Sequence, residues 1–116
     1  MPADPNRESW KPGMSFEYAV EEIDYIKGLA QEMGGPERIK RQHDGGRYTI
    51  RERIEKMVDS DSFIEAGPLV GAAEYDEDGN LTSFTPGGFV MGLAEINGRP
   101  VSIGGDDFTI SGPHAK

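Results

Sequence analysis

Apolar positions recur with a helical period through the first half of this chain and with a strand period through most of the second. Phe16, Ala19, Val20, Ile23, Ile26, Ala30 and Met33 fall three or four apart, while Glu17, Glu21, Glu22 and Asp24 take other positions. That spacing predicts an amphipathic helix over 15–33, with Ser15 as N-cap, Glu17 in the favourable first turn and Gly34-Gly35 past its end. Its polar face is acidic, which favours packing on its own domain or a neighbouring subunit over a membrane surface. Pro36 suits the first position of a second helix over 36–44, closed by Gly45-Gly46.

The third helix, over 49–58, carries the clearest start signal. Thr49 and Glu52 form a capping box, in which the hydroxyl accepts the Glu52 amide and the carboxylate reaches back to the Thr49 amide. Ile50, Ile54, Met57 and Val58 then share a face. Asp59, Ser60, Asp61 and Ser62 compete for backbone hydrogen bonds and pass the chain into an extended run.

From Phe63 onward the helical period is gone. Strands are expected at Phe63–Ala66 and Val70–Tyr75, followed by a turn at Asp76-Glu77-Asp78-Gly79-Asn80. That acidic turn imitates part of a calcium loop, but it lacks the sixth-position Gly and the twelfth-position Glu that the loop needs, so it reads as a solvated hairpin turn. Phe89–Ile96 and Arg99–Ile103 flank Asn97-Gly98, the strongest short-range signal for a two-residue type I′ turn. Thr85-Pro86-Gly87-Gly88 is not followed by the Lys-Ser/Thr and helix of a phosphate loop. Gly104-Gly105-Asp106-Asp107-Phe108 is similar to the signature of diguanylate cyclases, yet it follows a hairpin arm rather than the βα unit that signature requires.

Composition changes this picture in three ways. Leu, Ile, Val and Phe total 23 of 116 residues, and 16 glycines add backbone entropy to be lost on folding, so the core looks thin for a self-sufficient domain. Residues 1–14 hold Pro2, Pro5, Pro12 and Gly13 among polar residues and are expected as a disordered arm, with Trp10 as an anchor on a neighbouring surface. The domain proper is then 15–116.

Charge is the second. With 12 Lys plus Arg against 21 Asp plus Glu, the net charge of −9 argues against general nucleic-acid and anionic-membrane binding. It is uneven, however. Arg38, Lys40, Arg41, Arg47, Arg51, Arg53 and Lys56 outnumber Glu37, Asp44, Glu52 and Glu55, making a basic island over 36–56 in an acidic chain.

The third is cysteine, which is absent; no disulfide framework, thiolate metal site or cysteine nucleophile is expected, and a cytoplasmic setting fits. The segment 1–13 lacks the apolar run of a signal peptide. His43 reads as a cation at a helix C-terminus. His43 and His114 with scattered carboxylates give no metal-ligand spacing.

Two stretches carry a resemblance. Gly46-Arg47-x-Thr49-x-Arg51-Glu52-Arg53-Ile54, with Asp59 and then Ser62-Phe63-x-Glu65, resembles the entry motif of the carboxyltransferase (β-type) subunits of biotin-dependent acyl-CoA carboxylases, the propionyl-CoA and methylcrotonyl-CoA carboxylase group. Ile96-Asn97-Gly98-Arg99-Pro100-Val101, followed by Asp107-Phe108-Thr109, is similar to a second motif of the same family.

The resemblance spans about Glu37 to Thr109 and implies an α/β fold, the opening portion of a crotonase-like spiral of ββα units. It also implies transfer of a carboxyl group from carboxybiotin to an acyl-CoA, with no metal. The implied partners are the remaining carboxyltransferase domain, a biotin carboxylase or biotin carrier subunit, and further copies in an oligomer.

In that family the amides that stabilise the enolate come from Gly-rich turns after the Asp-Phe-Thr strand, where this chain instead reads Ser111-Gly112-Pro113. No catalytic residue carries over, and the chain alone is expected to be inactive. Arg47 and Arg51, near the start of the third helix, are the candidates for CoA phosphates; pairing of Arg51 and Arg53 with nearby acids is the competing reading. A small non-catalytic assembly or interaction subunit built on the same module is the alternative function, and the coding sequence downstream would discriminate the two.

Overall fold

A computed structural model describes residues 1–110; His114 and the Ser111-Gly112-Pro113 segment lie outside them. Helices α1 (Phe16–Gln31), α2 (Pro36–Asp44) and α3 (Ile50–Met57) precede strands β1 (Ile64–Ala66), β2 (Gly71–Tyr75), β3 (Leu81–Pro86), β4 (Phe89–Ile96) and β5 (Arg99–Asp106). Ser15 caps α1 by accepting from the Tyr18 amide, and Thr49 with Glu52 makes both arms of the capping box on α3.

The strands form two antiparallel sheets, β1-β4-β5 and β2-β3. The β4–β5 hairpin turns at Asn97 and Gly98, whose φ values of 51° and 76° are the paired positive angles of a type I′ turn. Pairing continues past the expected Ile103 to Asp106, which pairs with Phe89. β3 was not expected as a separate strand. Its Leu81, Phe84 and Pro86 are buried, and a bulge at Glu74/Tyr75 shifts the pairing with β2, so the simple alternation that advertises a strand is broken.

Two packing units result. In the first, Leu29 and Ala30 of α1 meet Leu81 and Phe84 of β3, with Met1, Ala3, Tyr25 and Ile26 around them. In the second, α3 covers one face of the three-stranded sheet. Val90 and Ala94 are buried there beside Ile54, and a Cβ at Gly105 would come within 2.4 Å of Ile50 Cδ1, so a larger residue there would displace the Ile50 side chain from its seat.

Residues 1–14 pack rather than extend freely. Met1 pairs with Phe84, the Ala3 amide donates to the Thr82 carbonyl, and Pro2 bridges Ser83, adding a short strand to the edge of β3. Arg7 lies over the Tyr25 ring at 4.3 Å and pairs with Glu22 at 3.2 Å, while buried Ser9 accepts from the Leu81 amide at 2.7 Å. Polar side chains fasten this Pro-rich segment, which composition alone does not reveal.

Helix α1 also differs from expectation. Leu29 and Ala30 near its end are buried, but Phe16, Val20 and Ile23 on its apolar stripe are 87%, 56% and 41% exposed, because β3 reaches only the last turns.

Candidate functional site

The two motif stretches come together in space, and their polar residues fasten elements to one another. Arg51, one residue into α3, directs its guanidinium fork at Glu65 of β1, with Nη1 and Nη2 at 2.9 and 2.8 Å from the two carboxylate oxygens. Both side chains are 16% exposed. This bidentate geometry is the strong form of an ion pair, and it fixes the register of β1: Glu65 faces α3, while Ile64 and Ala66 face the opposite side.

Asp59 performs the second fastening. Its Oδ1 and Oδ2 accept from the amides of Asn97 and Gly98 at 2.9 and 2.8 Å, and its own amide donates to the Glu95 carbonyl at 2.7 Å. Ser62 repeats the clamp one turn later, exchanging hydrogen bonds with the Glu95 backbone. Asp59, just past the Val58 C-cap of α3, therefore holds the tip of the β4–β5 hairpin, joining the first motif stretch to the second.

A third knot ties the exit of β5 to the end of α1. Asp107, 1% exposed, accepts from the Thr109 amide and hydroxyl at 2.9 and 2.6 Å, and the Thr109 hydroxyl accepts from the Gly34 amide at 2.8 Å. Contact at Gly34 is close, since a Cβ there would lie 1.9 Å from the Thr109 carbonyl oxygen. Arg38 of α2 donates to the carbonyls of Thr109 and Ile110 at 3.3 and 3.1 Å.

Electrostatics concentrate at the α2–α3 junction. His43 Nε2 lies 2.5 Å from Glu52 Oε1. That hydrogen bond first, and the Thr49 amide and hydroxyl next, hold the Glu52 carboxyl down at about 2. His43 thus acts across the junction on the capping residue, in addition to standing in the last turn of α2.

Most of the basic island is spent on structure. Arg38 holds carbonyls, Lys40 pairs with Asp44, Arg51 holds Glu65, and Lys56 lies over the Tyr48 ring at 4.7 Å. The two arginines expected at CoA phosphates therefore differ. Arg51 has both terminal nitrogens committed, whereas Arg47 is exposed and its side chain makes no hydrogen bond or ion pair among the described residues.

An open cleft of about 420 Å³ runs between α3 and the 59–63 loop, lined by Arg51, Ile54, Glu55, Val58, Asp59 and Phe63 among others. Ser60 lines it beside Asp59 and Asp61, but among the described residues no hydrogen bond joins that hydroxyl to a carboxylate. Among the described residues no group of three or more His, Cys, Asp or Glu could hold a metal ion, and no helix is long and apolar enough to cross a membrane.

Sequence reasoning did not anticipate the roles of Glu65, Asp59 and Thr109. A lone acid inside the apolar run Phe63-Ile64-Glu65-Ala66, opposite an Arg-rich helix, was a signal for the first. The two free central amides of an Asn-Gly turn were a signal for an acid such as Asp59.

The comparisons agree with this geometry. The carboxyl transferase domain model matches residues 41–116, and the chain belongs to that family. It is 36% identical over 103 residues to the mitochondrial propionyl-CoA carboxylase beta chain of Mus musculus, a match covering 83% of this chain and 19% of that one. Against the methylmalonyl-CoA carboxyltransferase 12S subunit of Propionibacterium freudenreichii subsp. shermanii the identity is 30% over 105 residues, covering 90% and 20%.

A solved transcarboxylase 12S structure, described as a hexamer assembly with methylmalonyl-coenzyme A and methylmalonic acid bound, superposes with a TM-score of 0.71 at 30% identity over 89% of this chain and 20% of that one. The fold is the N-terminal portion of a crotonase-like carboxyltransferase of the β type. The chain spans about a fifth of the length of these relatives.

Proposed function

We propose that this chain supplies the opening portion of a carboxyltransferase that moves a carboxyl group from carboxybiotin to an acyl-CoA. The observation that carries the reading is the Asp59 clamp on Asn97 and Gly98. It makes the two family stretches one mechanical unit rather than two coincidental matches, in a chain whose relatives are named for propionyl-CoA and methylmalonyl-CoA chemistry.

In the reaction the α-carbon of the acyl-CoA loses a proton, and the resulting enolate takes the carboxyl group. An enolate oxygen is best stabilised by amide donors fixed beforehand where the charge develops. This portion contributes the scaffold from which the chain leaves β5 toward such donors. Asp107, Thr109 and Gly34 hold that exit in place.

Of the two arginines, Arg47 is the one to test at the CoA phosphates, because its guanidinium is exposed beside the start of α3. A salt-sensitive, several-fold loss of acyl-CoA affinity in Arg47→Ala, measured in the complete assembly, would support that contact. The implied partners are the rest of the carboxyltransferase domain, a biotin carboxylase or carrier subunit, and other copies in an oligomer; the cysteine-free sequence supports a cytoplasmic setting.

The test is carboxyl transfer from supplied carboxybiotin to propionyl-CoA, by the chain alone and after addition of the portion of the transcarboxylase 12S subunit that this chain does not align with. Activity only in the complemented mixture is expected. A captured but inactive assembly would favour a non-catalytic assembly subunit, and activity of the chain alone would overturn the reading.

A further inference from the structure

An antiparallel sheet with one face on a core ordinarily turns polar side chains to its other face. The β1-β4-β5 sheet does not. On β4, Val90, Gly92 and Ala94 are buried on the α3 side, yet the alternate residues Phe89, Met91 and Leu93 are also apolar and are 55%, 48% and 61% exposed. Ile64, paired with Leu93 across the β1–β4 ladder, adds a side chain that is 71% exposed.

The register makes this outward apolar face deliberate. A slip of one residue would turn Ile64 inward and Glu65 outward, the usual preference for both. Arg51 prevents it by holding Glu65 on the inner side. On the outer face Gly104 lies opposite Met91, and a Cβ there would come within 2.8 Å of the Phe89 ring. The ring thus lies along bare backbone and shapes a shallow hollow of about 360 Å³ lined by Ala66, Phe89, Met91 and Leu93, with Ser102, opposite Leu93, as its polar side chain. No ionisable side chain lines that hollow.

We propose that this outer face is an interior layer of the complete protein, and that its occupant is an apolar layer of the remaining four-fifths of the carboxyltransferase polypeptide. The inference rests on the carboxyltransferase reading. Its grounds are that the same portion superposes at a TM-score of 0.71 on a chain of which it covers 20%, and that the hollow is uncharged, with Ser102 its one polar side chain and with Glu95 and Asp106 kept to the two ends of the β4–β5 ladder, a lining that suits a buried layer. The Phe16, Val20 and Ile23 stripe of α1 is a separate apolar surface, flanked by Glu17, Glu21 and Asp24, so the exposed polar turn at Glu77 serves as the control.

The experiment mixes the tagged 116-residue chain with the non-aligned portion of the Propionibacterium 12S subunit and reads capture by pull-down, independent of activity. The wild-type chain should capture it. Leu93→Lys and Ile64→Lys should each weaken capture by about tenfold or more, because a charge would be carried into an apolar layer. Glu77→Lys, in the exposed turn between β2 and β3, should capture as wild type.

Both sheet variants should keep the wild-type circular dichroism, since their side chains face away from α3. If Leu93→Lys loses that signal, Ile64→Lys at the sheet edge decides. Undiminished capture by the folded sheet variants, or no capture by the wild-type chain, would overturn the proposal. So would a dimer of this chain that Leu93→Lys dissolves without affecting capture, since the occupant would then be a second copy. Capture without carboxyl transfer would refute the activity reading and leave this inference standing.

Discussion

The two packing units of this small fold differ in the balance of apolar packing and polar fastening that holds them. Around α1 and β3 the core is the apolar cluster of Leu29, Ala30, Leu81 and Phe84, with Ser9 the buried polar side chain beside it. Around α3, β1, β4 and β5 the fully buried side chains of greatest volume include Thr49 and Asp107, and long-range fastening comes from Arg51, Asp59 and Thr109. Apolar packing tolerates many sequences of suitable size. Hydrogen-bonded knots demand particular atoms at particular places, so the unit built from them is the one that carries recognisable motifs. Motif residues in this chain therefore mark positional accuracy, and their side chains are largely consumed in supplying it.

Phe84→Ala should break the contrast most severely. Phe84 is 2% exposed, and removing a buried Phe side chain costs about 3–5 kcal/mol. Hydrogen exchange should show protection collapsing in α1 and β3 while the β4–β5 ladder keeps most of its own. Equal loss in both units would mean that they are one cooperative body.

Arg51→Ala comes next. It leaves Glu65 facing α3 without a partner, for a loss of about 2 kcal/mol, below the range for fully buried pairs because some solvent reaches this one. Protection should fall in β1 and persist around Phe84.

Asp59→Ala removes two acceptor contacts at the hairpin tip. About 1 kcal/mol is expected, since charge-assisted bonds at the surface are partly replaced by water. The effect should be confined to amides near Asn97 and Gly98.

This ordering also explains what could be read in advance. Helix starts and the Asn97-Gly98 turn were legible because Ser15, Thr49 with Glu52, and the Asn-Gly pair act on their own neighbours within four residues. The clamp of Asp59 on Gly98 and the inward Glu65 were not, because they depend on which strand lies beside which. Residues 1–14 were read as free for the same reason: Arg7 and Ser9 have their partners at Glu22 and Leu81. Arg51 as a CoA contact was a choice that charge and position suggested, and its geometry to Glu65 shows the side chain engaged elsewhere.

The smallest expected effect is an acid response in the motif unit. The Glu52 carboxyl is held at about 2, below its ordinary value of 4.5. A depressed folded-state value stabilises the fold above the unfolded value, and the contribution is lost as pH falls from 4.5 toward about 2. Amide protection at the start of α3 should decline through that window. In Glu52→Gln the decline should be missing, and in His43→Gln it should be shallower.

The most direct test of the claim that the entry motif serves as a fastening is a double-mutant cycle on Arg51 and Glu65. Protection of the β1 and β4 amides is compared among the wild type, Arg51→Ala, Glu65→Ala and the double variant. The account predicts a coupling of about 1 kcal/mol or more, with the double variant little worse than either single one. Losses that simply add, to within about 0.3–0.5 kcal/mol, would contradict it.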